Sequence, residues 1–142
     1  MYKIEQVAIV GGTHGNEFSG IYLLKKWQES PQLISRNGFN VETLFANQKG
    51  FEENKRYIDC DLNRQFTLPE LAKDDLVNHE QSLAKTINAQ LGPKGSAKTD
   101  FIIDLHNTTS NMGPTLILLK SDDFNKKMGA YVLSKMPEAV IV

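Results

Sequence analysis

The sequence has little of what defines several large classes of protein. Its single cysteine, Cys60, can form no internal disulfide, so nothing favours an oxidising compartment. No segment approaches the ~20 consecutive apolar residues of a membrane span, and the N-terminus MYKIEQVAIV lacks the apolar region of a signal peptide. A formal net charge of −1 gives no reason to expect a nucleic acid or a membrane surface as a partner. These absences predict a cytoplasmic protein.

What the sequence does contain suits one ordinary globular domain. Its 142 residues are 40% hydrophobic and 23% charged, and no repeat or linker marks an internal boundary, so residues 1–142 are predicted to form one domain. The sequence stops at MPEAVIV, a strand-forming run with no turn after it. We therefore expect the front part of a longer protein, with an incomplete sheet edge at which a homo-oligomer could form.

Strand and helix patterns alternate along the chain. Short apolar runs predict strands at 7–10, 41–46, 101–106 and 115–120, and the last four residues are strand-like. Helical spacing predicts helices over about 17–29, about seventeen residues ending near 91, and 122–135, with a long irregular segment at 47–72 between them. The alternation favours an α/β fold with a mostly parallel or mixed sheet. Ligands of such sheets bind at the carboxyl ends of the strands, where GGTHGNE and DLHNTTSNMG lie.

Three side chains in these two stretches could hold a metal ion. His14 and Glu17 follow the first strand, and His106 ends the strand at 101–106. Two histidines and one carboxylate, with a fourth position open to water, form a recurrent catalytic zinc site. Taken alone, His-x-x-Glu is a weak signal and His106 could be satisfied by a backbone partner, so spacing leaves both interpretations open. His79 lies among polar residues and is predicted to be a solvated surface group.

Asp104 precedes His106 by two residues, so both side chains point to the same face of an extended strand. A metal-bound imidazole usually donates its other N–H to a carboxylate or a carbonyl. Asp104 is therefore a candidate partner for one of the histidines, with His14 across the sheet as the partner we expect. The alternative is that Asp104 caps a nearby turn.

The stretch RYIDCDLNR, in the irregular segment, has the composition of an anion-binding loop. A guanidinium holds a carboxylate through two parallel hydrogen bonds, which suggests that Arg56 or Arg64 binds a carboxylate or a developing oxyanion, with Asn63 adding donors. The alternative is an internal ion pair of either arginine with Asp59 or Asp61. From the residues alone, the ion pair is favoured.

Together, GGTHGNE, RYIDCDLNR and DLHNTTSNMG resemble the motifs of the aspartoacylase and succinylglutamate desuccinylase family of zinc hydrolases, which is related to the carboxypeptidases. The match runs from residue 7 to about 120, and YIDCDLNR leans toward the aspartoacylase branch. The resemblance implies a three-layer α/β/α fold of the zinc-carboxypeptidase type, truncated at its C-terminus. Residues 1–142 would then be the N-terminal zinc-binding catalytic domain.

The resemblance also implies a reaction. One zinc per chain would be bound by the three candidate ligands, Arg56 would polarise the scissile carbonyl and contact substrate, and Asn63 and Arg64 would hold an aspartate moiety. The implied activity is hydrolysis of an N-acyl-L-aspartate to a carboxylate and L-aspartate. In the family, the general base is a glutamate well beyond the third zinc ligand, so we expect this chain alone to lack it. Alternatives are deacylation of an N-acyl aromatic amino acid or of succinylglutamate, or a zinc-binding fragment without turnover.

Overall fold

The computed structural model describes residues 3–142, which divide into two compact units. The larger unit ends at Asn107, and the smaller one is Thr108–Val142. The single domain expected over 1–142 therefore stays a prediction. No helix in the described part of the chain has both the length and the apolar character that a membrane span requires.

The larger unit is an α/β layer structure, as the alternating pattern predicts. Its elements are β1 (Gln6–Gly11), α1 (Phe18–Glu29), β2 (Asn40–Phe45), α2 (Gln48–Glu52), α3 (Leu68–Leu71), α4 (His79–Gln90) and β3 (Phe101–Leu105), with 3-10 turns at Pro31–Leu33 and Leu62–Phe66. The sheet has the order β2-β1-β3, and both pairings are parallel. β1 is central in the sheet and buried.

Helices cover both faces of this sheet. Ala8 and Val10 of β1 share a core with Ala84 and Ile87 of α4 and with Leu91, which caps the C-terminus of that helix. On the other face α1 approaches closely, since a Cβ on Gly11 would lie 2.9 Å from the carbonyl carbon of Gly20. The chain thus leaves β1 toward β2 on one side and returns to β3 on the other, which makes the β1–β3 boundary a topological switch point.

One helix begins later than predicted. The apolar spacing predicted a helix of about seventeen residues, whereas α4 has 12 and begins at His79. The Asn78 side chain accepts a hydrogen bond from the Gln81 backbone N–H and so caps the helix at that point. The long segment before α4 is irregular, as predicted, and it contains short helical turns.

The smaller unit contains β4 (Thr115–Leu116), α5 (Asp123–Lys135) and β5 (Val140–Ile141). β4 and β5 form a parallel pair, and α5 lies close to the predicted 122–135. The strand predicted over 115–120 is too long. Regular pairing stops at Leu116, and beyond it a single hydrogen bond runs from Leu118 N–H to the Val142 carbonyl.

Candidate metal centre

The three candidate ligands lie at the switch point between β1 and β3. Gly11, the last residue of β1, pairs with Leu105, the last residue of β3, so the turns that follow the two strands begin side by side. His14 and Glu17 lie in the first turn, Glu17 at the N-cap of α1, and His106 directly follows β3. Sheet topology therefore brings together groups that are 92 positions apart in the sequence.

The side chains converge on Glu17. Its Oε1 lies 2.8 Å from His14 Nδ1, and its Oε2 lies 2.9 Å from His106 Nδ1. Each of the three residues offers a ligand atom, and these atoms all lie within 4.8 Å of one another. His14 and Glu17 are buried, whereas the His106 side chain is one third exposed. Among the three candidate ligands, His106 is therefore the one that solvent reaches.

The outer nitrogen of each imidazole faces an aspartate. His14 Nε2 lies 3.0 Å from Asp61 Oδ1, and His106 Nε2 lies 2.8 Å from Asp104 Oδ2. A neutral imidazole carries one N–H, so a ring that donates to the aspartate through Nε2 presents a lone pair at Nδ1 toward Glu17. A cation between the two Nδ1 atoms and the Glu17 carboxylate would satisfy all of them. The donor set therefore fits a divalent metal such as zinc.

Asp104 contacts a candidate ligand, but not the one we expected. Asp104 contacts His106 at the end of the same strand. The aspartate that contacts His14 is Asp61, which lies in the distant RYIDCDLNR stretch. The other oxygen of Asp104 accepts a hydrogen bond from Thr13 Oγ1 at 2.8 Å, which joins the two turns. Sequence reasoning missed the role of Asp61, because no spacing rule connects residues 47 positions apart through an irregular loop.

The electrostatics of the cluster favour ionised carboxylates. Burial would raise the pKa of Glu17, but the Asn107 N–H and the two imidazoles outweigh it and hold that pKa below its ordinary value. For His106, the hydrogen bond to Asp104 outweighs burial and raises the pKa. Burial also opposes ionisation of Asp61, yet hydrogen bonds from His14 and the Asn63 N–H lower its pKa overall. A cluster with this much negative charge favours a bound cation.

Arg56 reaches the same cluster. Its Nη1 lies 3.2 Å from Glu17 Oε1 and its Nη2 3.7 Å from Asp61 Oδ2, while about half of the side chain is exposed. The ion pair anticipated with Asp61 is therefore present, and the contact with Glu17 also places the guanidinium beside the candidate ligands. Asp59, the other anticipated partner, instead accepts the His79 backbone N–H.

The turn after β1 packs directly on the loop that carries Arg56. The Gly15 N–H donates to the Arg56 carbonyl at 3.0 Å. A Cβ on Gly15 would lie 2.1 Å from the carbonyl carbon of Gly50 in α2, so this position requires glycine. The requirement for glycine here comes from the close approach of two backbones.

Asn63 and Arg64 are exposed, and neither side chain hydrogen-bonds to another residue within 3–142. The Asn63 backbone N–H donates to Asp61 Oδ1, which connects this part of the loop to the cluster.

The solvated surface position predicted for His79 is wrong. The residue is half buried, and its Nε2 atom is buried without a hydrogen-bond partner in the described chain.

Asn107 is a further residue that the sequence did not single out. Its backbone N–H donates to Glu17 Oε2 at 2.8 Å, and its side chain exchanges hydrogen bonds with Ser19 in the first turn of α1. Asn107 therefore fixes the orientation of the Glu17 carboxylate. The signal available was its position directly after His106.

Comparison with known proteins connects this geometry to a family. Residues 3–142 match the model of the succinylglutamate desuccinylase/aspartoacylase catalytic domain. The chain is 56% identical over 141 residues to a probable aspartoacylase of Trichodesmium erythraeum, covering 99% of this chain and 48% of that protein. It is 44% identical over 134 residues to an N-acyl-aromatic-L-amino acid amidohydrolase (carboxylate-forming) of Xenopus tropicalis, covering 93% and 43% respectively.

The fold is likewise that of a known structure. The crystal structure of murine aminoacylase 3 superposes with a TM-score of 0.91 at 36% identity, covering 99% of this chain and 48% of that one. The chain thus spans about half the length of the relatives that it matches. With three motifs, a fold and a family model in agreement, the chain belongs to the succinylglutamate desuccinylase/aspartoacylase family.

Proposed function

We propose that the protein is a zinc-dependent amidohydrolase that removes the acyl group from an N-acyl amino acid, with N-acyl-L-aspartate as the preferred substrate. One zinc per chain would be held by His14, Glu17 and His106. The observation that carries the proposal is the convergence of two imidazole Nδ1 atoms on one carboxylate while both Nε2 atoms face aspartates. The aspartoacylase and amidohydrolase names of the relatives support the reaction class.

When bound, zinc supplies Lewis acidity and lowers the pKa of a water to about 7. The chain contributes the arrangement around it. Asp61 and Asp104 hold the imidazoles in one tautomer, and Asn107 orients Glu17. Arg56, held beside Glu17 and half exposed, is the catalytic residue that would donate to the oxyanion formed on the scissile carbonyl. One donor of this kind commonly stabilises the transition state by ~3–4 kcal/mol.

Substrate binding is proposed for Arg56, Asn63 and Arg64. The last two are exposed and lie two and three positions after Asp61, so their donors are available for the carboxylates of an aspartate moiety. A bidentate hydrogen-bonded pair between Arg64 and a substrate carboxylate would hold the amide in place and reduce the entropic part of the activation barrier. We assign the general base to no residue of this chain, and its absence stays a prediction.

The second candidate function is hydrolysis of an N-acyl aromatic amino acid. It is favoured by one specific observation, the 44% identity to the Xenopus tropicalis enzyme of that name. The two candidates share the metal centre and differ in the side chain that the amino-acid subsite accepts. Aspartate requires a second cationic or amide contact, whereas an aromatic ring requires an apolar wall.

Substrate binding to the zinc-loaded chain tests the proposal. We expect N-acetyl-L-aspartate to bind more tightly than N-acetyl-L-tyrosine or N-succinyl-L-glutamate in calorimetry. Arg64→Lys should weaken binding of the aspartate ligand about tenfold, because lysine cannot form the bidentate pair. Arg36→Lys is the matched control, since Arg36 donates to the Leu33 and Ser35 carbonyls, remote in sequence from the motif.

Three results would change the proposal. Failure to bind zinc would overturn it, and tighter binding of the tyrosine derivative would favour the second candidate function. Release of L-aspartate by this chain alone would contradict the predicted absence of a general base.

A further inference from the structure

One buried carboxylate outside the candidate metal centre accepts four hydrogen bonds. Glu80, in the first turn of α4, has no exposed surface. Its Oε1 accepts from the Ile58 N–H at 2.8 Å and from Asn47 Nδ2 at 2.9 Å, and its Oε2 accepts from the N–H groups of Asp59 at 3.0 Å and Cys60 at 3.1 Å. No lysine, arginine or histidine of the described chain forms an ion pair with it. Four donors replace the water that burial removes.

The contact is reciprocal. Asp59 Oδ2 accepts the His79 backbone N–H at 2.8 Å, so the loop also satisfies a donor at the start of α4. Asn47 Oδ1 accepts the Gly50 N–H and caps α2. The loop and the ends of two helices therefore meet at one carboxylate. Removing its charge would leave these partly buried N–H groups without an adequate acceptor.

The residues that Glu80 holds lie between two residues of the metal centre. Ile58, Asp59 and Cys60 are consecutive, Asp61 follows them, and Arg56 precedes them by two positions. Three consecutive N–H groups directed at one acceptor fix the backbone direction at both ends of the segment. On one side this determines how Arg56 reaches Glu17, and on the other how Asp61 reaches His14.

We propose that Glu80 is a positioning residue, which holds the Arg56–Asp61 loop in the conformation that brings the Arg56 guanidinium and the Asp61 carboxylate to the metal centre. The consequences for metal binding and catalysis rest on the proposed function. The role of Glu80 in holding the loop conformation does not depend on that function. Burial would raise the pKa of Glu80, but the donated hydrogen bonds outweigh it and lower that pKa, so the carboxylate is ionised at neutral pH.

The sequence provides two probes that separate the loop from the rest of the fold. Cys60 is the only cysteine and Trp27 the only tryptophan. Cys60 lies in the held segment, with its thiol directed to Asn78 Oδ1, and Trp27 lies in α1. Alkylation by iodoacetamide therefore reports opening of the loop, and tryptophan fluorescence in urea reports stability from the other face of the sheet.

We expect Glu80→Gln to be alkylated at Cys60 at least about tenfold faster than the wild type under native conditions. Burial, and after it the charges of Glu80 and Asp59, raise the pKa of the Cys60 thiol, so loss of the Glu80 charge alone would speed alkylation. Rates are therefore compared at their high-pH plateau. Glu80→Asp, which keeps the charge but is too short to reach all four donors, should also be labelled faster, and it replaces Glu80→Gln if that variant does not fold.

Two controls distinguish positioning from general stability. Glu29→Gln removes an exposed glutamate at the end of α1 and should leave the alkylation rate unchanged. Leu24→Ala removes a buried side chain of α1 and lowers stability at a distance from the loop. Equal alkylation of Leu24→Ala and the Glu80 variants at matched fluorescence stability would overturn the proposal, as would a wild-type rate in the Glu80 variants.

Metal affinity provides the second measurement. With cobalt or zinc, Glu80→Gln should bind about tenfold more weakly than the wild type at unchanged stoichiometry, in the range typical of lost support to a metal ligand. Faster alkylation with unchanged metal affinity would overturn the positioning role. A wild type that binds no metal would overturn the proposed function instead, and the alkylation rates would still decide whether Glu80 holds the loop.

Discussion

The candidate metal centre combines two regions that are built in different ways. His14, Glu17 and His106 follow the ends of adjacent parallel strands, so the hydrogen-bond ladder between β1 and β3 determines where their backbones lie. Arg56 and Asp61 lie on an irregular loop and are held by polar contacts, above all those of Glu80. The positions of the candidate ligands thus depend on sheet topology, whereas those of Arg56 and Asp61 depend on one buried charge, that of Glu80.

The two imidazole–aspartate pairs show the same contrast on a smaller scale. Asp104 and His106 are two residues apart on one strand end, and about a third of each side chain is exposed. His14 and Asp61 are 47 positions apart, and only 3% of the His14 side chain is exposed. A water molecule can therefore replace the partner of His106 more easily than the partner of His14.

The largest effect is expected from removing a strand-end ligand. His106→Ala should abolish stoichiometric zinc binding, because one imidazole and one carboxylate leave too few protein ligands for the site. Metal analysis after gel filtration measures it, with about one zinc per wild-type chain as the reference. His79→Ala is the control and should retain its zinc. Stoichiometric zinc in His106→Ala would remove the basis for the proposed centre.

A smaller effect, and a direct test of the contrast, is expected from the two aspartates. Asp104→Asn should weaken zinc binding about tenfold and Asp61→Asn closer to about a hundredfold, the range observed when support to a metal ligand is lost. Asp61 is ranked higher because its imidazole is buried and because it also pairs with Arg56.

Chelator competition measures both affinities. Asp75→Asn, at an exposed position before α4, is the control and should bind zinc as the wild type does. A larger loss of zinc affinity in Asp104→Asn than in Asp61→Asn would contradict the expected ranking. It would show that the loop aspartate supports metal binding less than the strand-end aspartate does.

The sequence predicted the region that sheet topology determines. Apolar runs located β1 and β3, and the rule that ligands lie at the carboxyl ends of strands then placed His14, Glu17 and His106 together, where the structure has them. The two-residue period of a strand likewise placed Asp104 on the side of His106. These inferences succeed because they depend on regular backbone geometry.

The sequence could not predict the loop in the same way. In an irregular segment, the direction of each N–H group depends on its own φ and ψ angles, and no periodicity reveals that three of them meet at Glu80. The predicted start of α4 was wrong for a related reason. Apolar spacing extended the helix back to Leu76, whereas the capping side chain of Asn78 determines where it begins.

The smallest effect expected is a change of stability with pH, which tests whether the Glu80 charge holds the loop. The folded-state pKa of Glu80 is lowered from its ordinary 4.5, so its stabilising contribution is complete above that value and disappears as the pH falls through the folded-state pKa. The free energy of unfolding lost in Glu80→Gln should therefore be largest near neutral pH and shrink as the pH falls below about 4.5. Urea unfolding of metal-free protein, followed by Trp27 fluorescence, measures it, with Glu29→Gln as the matched reference variant. A loss in Glu80→Gln that stays constant from neutral to acid pH would mean that the loop is held by packing and not by the Glu80 charge.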